Sequence, residues 1–325
     1  MEKIPVVIDV DTGLDDSLAL FYAAASPKLD ILAVTATYGN TILENALKNT
    51  LNAMALCDRS DVPVAKGASR GWKKELRTSP NIHGVSGIGS VKYPADSKKA
   101  FVNEYAWDLC YEIIKKSEKP VVYIALGPLT NLAIMLRKHP DIKRCLDKIL
   151  FMGGTLRKGF ATQTASVNVY HDPEAARYVV KSGVPFHMCS HHMTIYTRIT
   201  KEKLKSELEQ SDNPVCRVAA QMINEYFDNC NSMGETYMGT VTLHDPAVIM
   251  YLTEPDFFTA KKCYCDVETS GEYTYGFTVI DIWNIYKKPE SEFNIHFVMT
   301  DEIHSEYISN RFIEGIKSYS FCRSL

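Results

Sequence analysis

Four aspartates crowd the first sixteen residues, in the run Val6-Val7-Ile8-Asp9-Val10-Asp11-Thr12-Gly13-Leu14-Asp15-Asp16. A short apolar strand leads into them and an amphipathic helix, from about Asp15 to Ala25, leads away. Carboxylates packed this closely repel one another and raise each other's pKa unless a cation or protons neutralise them. Helix capping by Asp15 and Asp16 accounts for one or two acids at such a turn, because their side chains satisfy first-turn N–H groups. It does not account for four. The run therefore points to a hard-cation site of catalytic type, built where a strand hands over to a helix.

The rest of the chain repeats that order. Ile31–Tyr38 precedes a helix over Leu43–Leu56, and Val121–Leu126 precedes Leu129–Leu136. Ile149–Met152 follows, and Pro173–Val180 then precedes Val184–Cys189. Alternation of this kind predicts an α/β fold with a doubly wound, mostly parallel sheet. Strands buried on both faces read as continuous apolar runs, as Val121-Val122-Tyr123-Ile124-Ala125 does. No repeat, low-complexity tract or linker interrupts the pattern, so residues 1–325 read as one domain with a helical excursion at about 200–240. Ligands of such sheets bind outside the carboxyl ends of the strands. That makes four turns the places to search: Asp9–Asp16, Thr37–Thr41, Leu126–Asn131 and Met152–Thr155. The stretch from Ala68 to Ala100 is turn-rich and carries Ile82-His83-Gly84-Val85-Ser86-Gly87-Ile88-Gly89, a loop suited to lie near a site.

Composition narrows the function. The 325 residues are 46% apolar and 23% charged, with a formal charge of −3, as in a globular protein without a nucleic-acid footprint. No apolar run approaches the roughly 18 residues of a membrane span. The N-terminus shows no basic region followed by an apolar one, so no signal peptide is expected. Nine cysteines occur at irregular spacing with no C-x-x-C pair, which predicts free, mostly buried thiols and a reducing cytoplasm. Cys263-Tyr264-Cys265 should place both thiols on one face of a strand.

The opening run admits a competing reading. A strand ending in Asp-x-Asp-x-Thr resembles the nucleophile motif of haloacid-dehalogenase-type phosphatases, with Asp9 as nucleophile and Asp11 as acid and base. No later acidic pair at a strand end completes that pattern. An EF-hand is excluded because Gly13 is not at the sixth loop position from Asp9 or Asp11. A second acidic motif, His244-Asp245-Pro246, recurs as His171-Asp172-Pro173. Asp before Pro commonly opens a helix, so at least one copy should be structural.

Taken together, Asp9-x-Asp11-x-x-x-Asp15-Asp16 resembles the signature of the inosine–uridine-preferring nucleoside hydrolase family. Val34-Thr35-Ala36-Thr37-Tyr38-Gly39-Asn40, His83-Gly84-Val85-Ser86-Gly87, Leu126-Gly127-Pro128-Leu129-Thr130-Asn131 and Met152-Gly153-Gly154 are similar to later family segments, in order. So are Asn168-Val169-Tyr170-His171-Asp172-Pro173-Glu174-Ala175-Ala176, Leu243-His244-Asp245-Pro246 and the late hairpin around Cys265–Glu272 and Gly276–Val279. The resemblance implies hydrolysis of a ribonucleoside to base and ribose with one Ca2+ ion. It implies that Asp11, Asp16 and Asp245 bind the ion by carboxylate and Leu126 by its backbone carbonyl, and that Asp11 is the general base. By the same resemblance His244 protonates the leaving base. Asp15, Asn40 and Asn168 contact the sugar, Met152 lies beneath it, and the protein assembles as a homodimer or homotetramer.

One segment departs from the family. The positions before Asn168 that usually carry an Asn and, six residues later, a Glu against the 5′ end of ribose hold Phe160 and Ser166 here. The 5′ end should therefore be read differently: Phe160 suits a 5′-deoxy or 5′-substituted nucleoside, and Arg157 with Lys158 suits a 5′-phosphate. Tyr226, Tyr237, His83, His191 and His192 are further candidates near the base, without assigned roles. Three functions stay in play: a calcium-dependent nucleoside hydrolase, a non-catalytic nucleoside-binding descendant of that fold, and the phosphatase.

Overall fold

The computed structural model describes residues 2–93, 97, 99–232 and 239–319. Among these the strands are β1 (Ile4–Val10), β2 (Leu29–Ala36), β3 (Val64–Lys66), β4 (Phe101–Tyr105), β5 (Val121–Ala125), β6 (Leu146–Met152), β7 (Phe186–Cys189), β8 (Arg198–Thr200), β9 (Thr240–Thr242), β10 (Thr259–Val267), β11 (Thr278–Asp281) and β12 (Ile295–Met299). Ten of them form one sheet in the order β11-β10-β12-β7-β6-β5-β1-β2-β3-β4. All pairings from β12 to β4 are parallel, and β10 runs against both its neighbours. From β1 the chain winds outward through β2, β3 and β4, then returns to start again at β5 on the other side. The gap between the ends of β1 and β5 is thus a topological switch point, where a crevice opens outside the strand ends.

Alternation along β1 feeds two cores. Val6, Ile8 and Val10 face the helices Leu14–Ala25, Pro214–Ser232, His244–Thr253 and Glu302–Lys317, through residues such as Leu18, Ile223, Ile249 and Phe312. Val7 faces the other side, with Tyr123, Phe151 and the helices Ala106–Lys116, Thr130–Lys138 and Pro173–Val180. Burial on both faces is what the continuous apolar runs of β1 and β5 require. Cys263 and Cys265 are both buried on one face of β10, as the alternation predicts.

Element boundaries shift where turn chemistry competes. The second strand ends at Ala36, two residues before its expected end, because Thr37 and Tyr38 turn to bond Val10 and Ala68. The helical excursion is broken rather than continuous. A turn of helix at Lys201–Leu204 runs into a wider turn over Lys205–Glu209, and a new helix starts at Pro214. Asn213 Oδ1 accepts the N–H of Val215 at 2.9 Å, and Pro214 needs no hydrogen bond at the first helical position. The ribbon of β8 and β9 flanks this excursion and delivers the chain to His244. Among the described residues no helix is long and apolar enough to cross a membrane.

Asp266 on β10 ties the helix Pro173–Val180 to the sheet. Its carboxylate accepts from Arg177 Nε at 2.8 Å and Lys181 Nζ at 2.6 Å. Partial burial opposes ionisation, but these cations and the Val267 N–H outweigh it and hold the carboxyl down at about 2. The folded-state value lies below that of an unfolded aspartate, so this stabilisation is complete above about pH 4 and fades as the pH falls toward 2. Asp266→Asn should therefore lower the unfolding free energy by about 1 kcal/mol at neutral pH after allowance for solvent screening. The difference from wild type should shrink in urea titrations repeated at decreasing pH between about 4 and 2.

Candidate active site

Four turns at the carboxyl ends of β1, β2, β5 and β6 meet at the switch point, and each brings one part of the site. Asp9, still within β1, points away from the crevice. Its register partner on β2 is Thr35, whose hydroxyl donates to Asp9 Oδ1 at 2.6 Å, and Asn131 Nδ2 donates to the same oxygen at 2.8 Å. Burial lifts this carboxyl to about 7 despite those donors. A fully buried group held between two strands and a helix is no nucleophile, which removes the residue that the phosphatase reading requires.

The next acids form a tight knot. Asp16 Oδ2 accepts from Gly13 N at 2.9 Å and Oδ1 from Asp11 N at 3.2 Å, so Asp16 does cap its helix. Asn40, on the turn after β2, donates its backbone N–H to Asp11 Oδ2 at 2.7 Å and its side-chain amide to Asp16 Oδ2 at 2.8 Å. Two further oxygens, Asp11 Oδ1 and Asp15 Oδ1, are buried without a hydrogen-bond partner. Asp245 folds back from the start of its helix, and Asp15, Asp16 and Asp245 each offer an oxygen within 4.8 Å of the others.

Burial pushes this whole group up, and mutual repulsion adds to it at Asp11, Asp15 and Asp245. Asp15 reaches about 8, Asp11 and Asp245 rise well above the ordinary carboxylate range, and Asp16 rises with them. Orphaned buried oxygens in an all-oxygen donor set fit a hard metal ion, which would neutralise charge that nothing else nearby answers. Backbone approaches the knot closely: a Cβ on Gly39 would lie 2.0 Å from Asp11 Oδ2, and one on Gly127 would lie 2.8 Å from Oδ1.

The two His-Asp-Pro copies divide as their contacts dictate. Asp172 caps its own helix through Ala175 N at 3.1 Å and also accepts from Thr130 at 2.8 Å and Trp72 N at 3.0 Å. It is the structural copy. Asp245 makes no capping bond and joins the acid knot instead.

Above the knot lies a cavity of 640 Å³. Asp15, Asn40, Leu126, Met152, Asn168 and Asp245 line its floor side together with His83, Phe160, His191, Tyr226 and His244. Asn168 Nδ2 bridges the carbonyls of Leu126 and Met152, the latter at 2.9 Å. This fixes the ends of β5 and β6 beside the acids and leaves each carbonyl a second lone pair. His244 Nδ1 pairs with the Thr194 hydroxyl at 2.7 Å, which leaves Nε2 for the cavity. Burial pulls the basicity of His244 far below its ordinary value, so the ring is neutral. His83 is likewise pulled down, to about 3; its Nδ1 accepts the N–H of Leu14 at 3.2 Å, and its ring stacks on Tyr226.

One expectation needs correcting. Ser166 does not line the cavity: it is buried, and its hydroxyl accepts the N–H of Gly154 at 2.8 Å, inside the turn after β6. Phe160 does reach the cavity, but as part of an aromatic wall, stacked on His191 at 4.3 Å and edge-on to His244 at 6.4 Å. His192 turns away toward Phe297. Tyr237 and Cys322 lie outside the described residues. Sequence reasoning missed Thr194, a plain threonine, and Arg77 and Arg198, which line the cavity from distant segments; Tyr170, two residues after Asn168, lines it too.

This geometry has known counterparts. The family model described as inosine-uridine preferring nucleoside hydrolase matches residues 6–304. The pyrimidine-specific ribonucleoside hydrolase RihA of Photobacterium profundum is 37% identical over 287 residues, 88% of this chain and 91% of that protein. The enzyme of the same name from Escherichia coli O127:H6 is 36% identical over 86% of this chain and 89% of its own length. The purine-preferring ribonucleoside hydrolase from Gardnerella vaginalis superposes with a TM-score of 0.88 at 30% identity, covering 97% of this chain and 98% of that one. A plant nucleoside hydrolase superposes with a TM-score of 0.89 at 26% identity, over 97% and 99% of the two chains. A family model matched from the first strand to the last helix, on a sheet whose switch point holds the acid knot, makes this chain a member of the inosine-uridine preferring nucleoside hydrolase family, an enzyme that hydrolyses nucleosides.

Proposed function

We propose that the chain cleaves the N-glycosidic bond of a ribonucleoside with one calcium ion held by Asp11, Asp16, Asp245 and the Leu126 carbonyl. The observation that carries this reading is the meeting of Asp245 with Asp15 and Asp16 around buried oxygens that lack partners, at the floor of a nucleoside-sized cavity. Calcium takes six to eight oxygen ligands and accepts such mixed carboxylate and carbonyl sets. Asp15 stands as near to the other acids, but it lines the cavity whereas Asp11 and Asp16 do not, so it is assigned to a ribose hydroxyl. Asn40 and Asn168 line the same floor and complete the sugar contacts, with Met152 beneath.

When bound, the cation supplies positive charge that makes a water molecule more acidic. Asp11 Oδ1, which has no hydrogen-bond partner, takes the proton from the attacking water. Oxygen then bonds to the anomeric carbon as the bond to the base breaks, through an oxocarbenium-like sugar. His244, held at Nδ1 by Thr194, takes up a proton at Nε2, where burial makes it weakly held, and passes it to the departing base. The names of the relatives favour uridine and cytidine as the first substrates to try, with inosine as the purine comparison. The 5′ end of the sugar meets Phe160 rather than a polar clamp. Seven described cysteines besides Cys230 are free thiols, which supports a reducing cytoplasm, and assembly as a homodimer or homotetramer completes the reading.

A non-catalytic nucleoside-binding descendant is the second reading, favoured by the loss of polar groups at Phe160 and Ser166. Base release measured over a panel of nucleosides, with the base identified by mass spectrometry, separates the two. An inert wild type that still binds nucleosides would overturn the enzymatic reading.

Asp11→Ala should slow base release by about 10³-fold while the circular dichroism spectrum is kept. Chelation should lower Tm and calcium should restore it, because free ion at one hundred times Kd stabilises by about 2.7 kcal/mol. Gly39→Ala should weaken calcium binding in calorimetry by at least about tenfold, since its methyl group displaces the Asp11 carboxylate.

A further inference from the structure

Three cations at the cavity have no acid to answer them. Arg77, Arg157 and Lys158 all line it, and none makes an ion pair among the described residues. Arg77 reaches the Ala161 carbonyl at 3.5 Å and lies 5.7 Å from the Tyr170 ring. Lys158 Nζ lies 5.6 Å from the Phe160 ring. Lys74 adds a fourth charge, 3.0 Å from the centre of the Tyr170 ring, and Tyr170 itself lines the cavity. Neighbouring cations behave differently: Lys73 pairs with Glu174 at 3.3 Å, and Arg177 pairs with Asp266. Glu302, the cavity's carboxylate outside the acid knot, is already held by Arg198.

All of this charge gathers on two segments that touch, residues 74–77 and 157–161. A neutral nucleoside gives the cations nothing to bind. Unpaired charge of one sign on a concave wall concentrates the field and draws in an oppositely charged ligand. By the family resemblance Phe160 stands at the position that faces the 5′ carbon, and Lys158 beside its ring puts the cations at that end of the substrate.

We infer that the site takes nucleoside 5′-monophosphates, with the phosphate held by Arg77, Arg157 and Lys158 and the 5′ carbon against Phe160. This rests on the nucleoside hydrolase reading and names its substrate class. A phosphate carries between one and two negative charges near neutral pH and three acceptor oxygens, which suit two guanidinium forks and an ammonium. The phosphate takes no part in the bond change. Water oxygen bonds to C1′, the C1′–N bond breaks with its electron pair going to the base, the base gains a proton, and the products are free base and ribose 5-phosphate.

The test compares kcat/KM for uridine and inosine with their 5′-monophosphates and 5′-deoxy analogues, at low and high ionic strength. The expected result is at least a tenfold preference for the monophosphates that falls as salt screens the cations. Arg77→Ala and the double variant Arg157→Ala with Lys158→Ala should bring the ratio of monophosphate to nucleoside near or below one. These side chains are exposed, so the variants should keep the wild-type Tm. Cleavage of plain or 5′-deoxy nucleosides ahead of monophosphates would overturn the inference and leave the hydrolase reading intact. So would a preference for monophosphates that survives both variants. Failure to release base from any of these substrates would overturn the reading beneath it as well.

Discussion

Buried carboxylates that cannot all be charged govern this structure. Asp11, Asp15, Asp16 and Asp245 share one dry space, and their mutual repulsion in low dielectric would outweigh much of what the surrounding packing contributes. The protein relieves part of that strain with backbone N–H groups of Asp11, Gly13 and Asn40. Glycines at positions 39 and 127 let the backbone come that close. What remains would be answered by a cation, and binding one at these buried acids would couple to folding stability. The parallel sheet makes the arrangement achievable, because its switch point gathers several strand ends around one crevice.

Chemically identical residues do different work because their surroundings differ. Asp9 takes Thr35 and Asn131 on one oxygen, Oδ1, and braces β1 against β2 and the helix beyond. Asp16 caps a helix and faces the knot at once. Asp172 and Asp245 sit in the same tripeptide at the start of a helix. One accepts three protein donors and is structural, whereas the other makes no cap bond and is pushed into the knot. A residue's role here follows from which donors are left over for it.

The wall opposite the acids follows a related logic with imidazoles. His83, His191 and His244 are kept neutral by burial, so they offer hydrogen bonds and flat surface rather than charge. Thr194 and the Gly154 carbonyl each engage a ring nitrogen and fix how the rings face the cavity. Phe160 extends that surface, and positive charge begins only beyond it.

The sequence alone carried the alternation of strands and helices, the parallel sheet and the acid cluster, because these are written in local periodicity and in residues near one another in the chain. The break in the excursion is local as well, set by Asn213-Pro214, although the polarity of the segment is continuous across it. Only the tertiary structure decided which His-Asp-Pro copy serves the site, since that depends on whether Trp72 and Thr130 or Asp15 and Asp16 lie across from it. It also withdrew Ser166 from the cavity, through a single bond to Gly154 that no spacing announces. Thr194 and Arg77 carry no local signal at all: a threonine becomes a support for His244, and an arginine part of a cationic wall, only when chain segments far apart in sequence are folded against each other. Local physics determined what the chain is built from, and long-range packing decided which groups were left without partners and were therefore free to act.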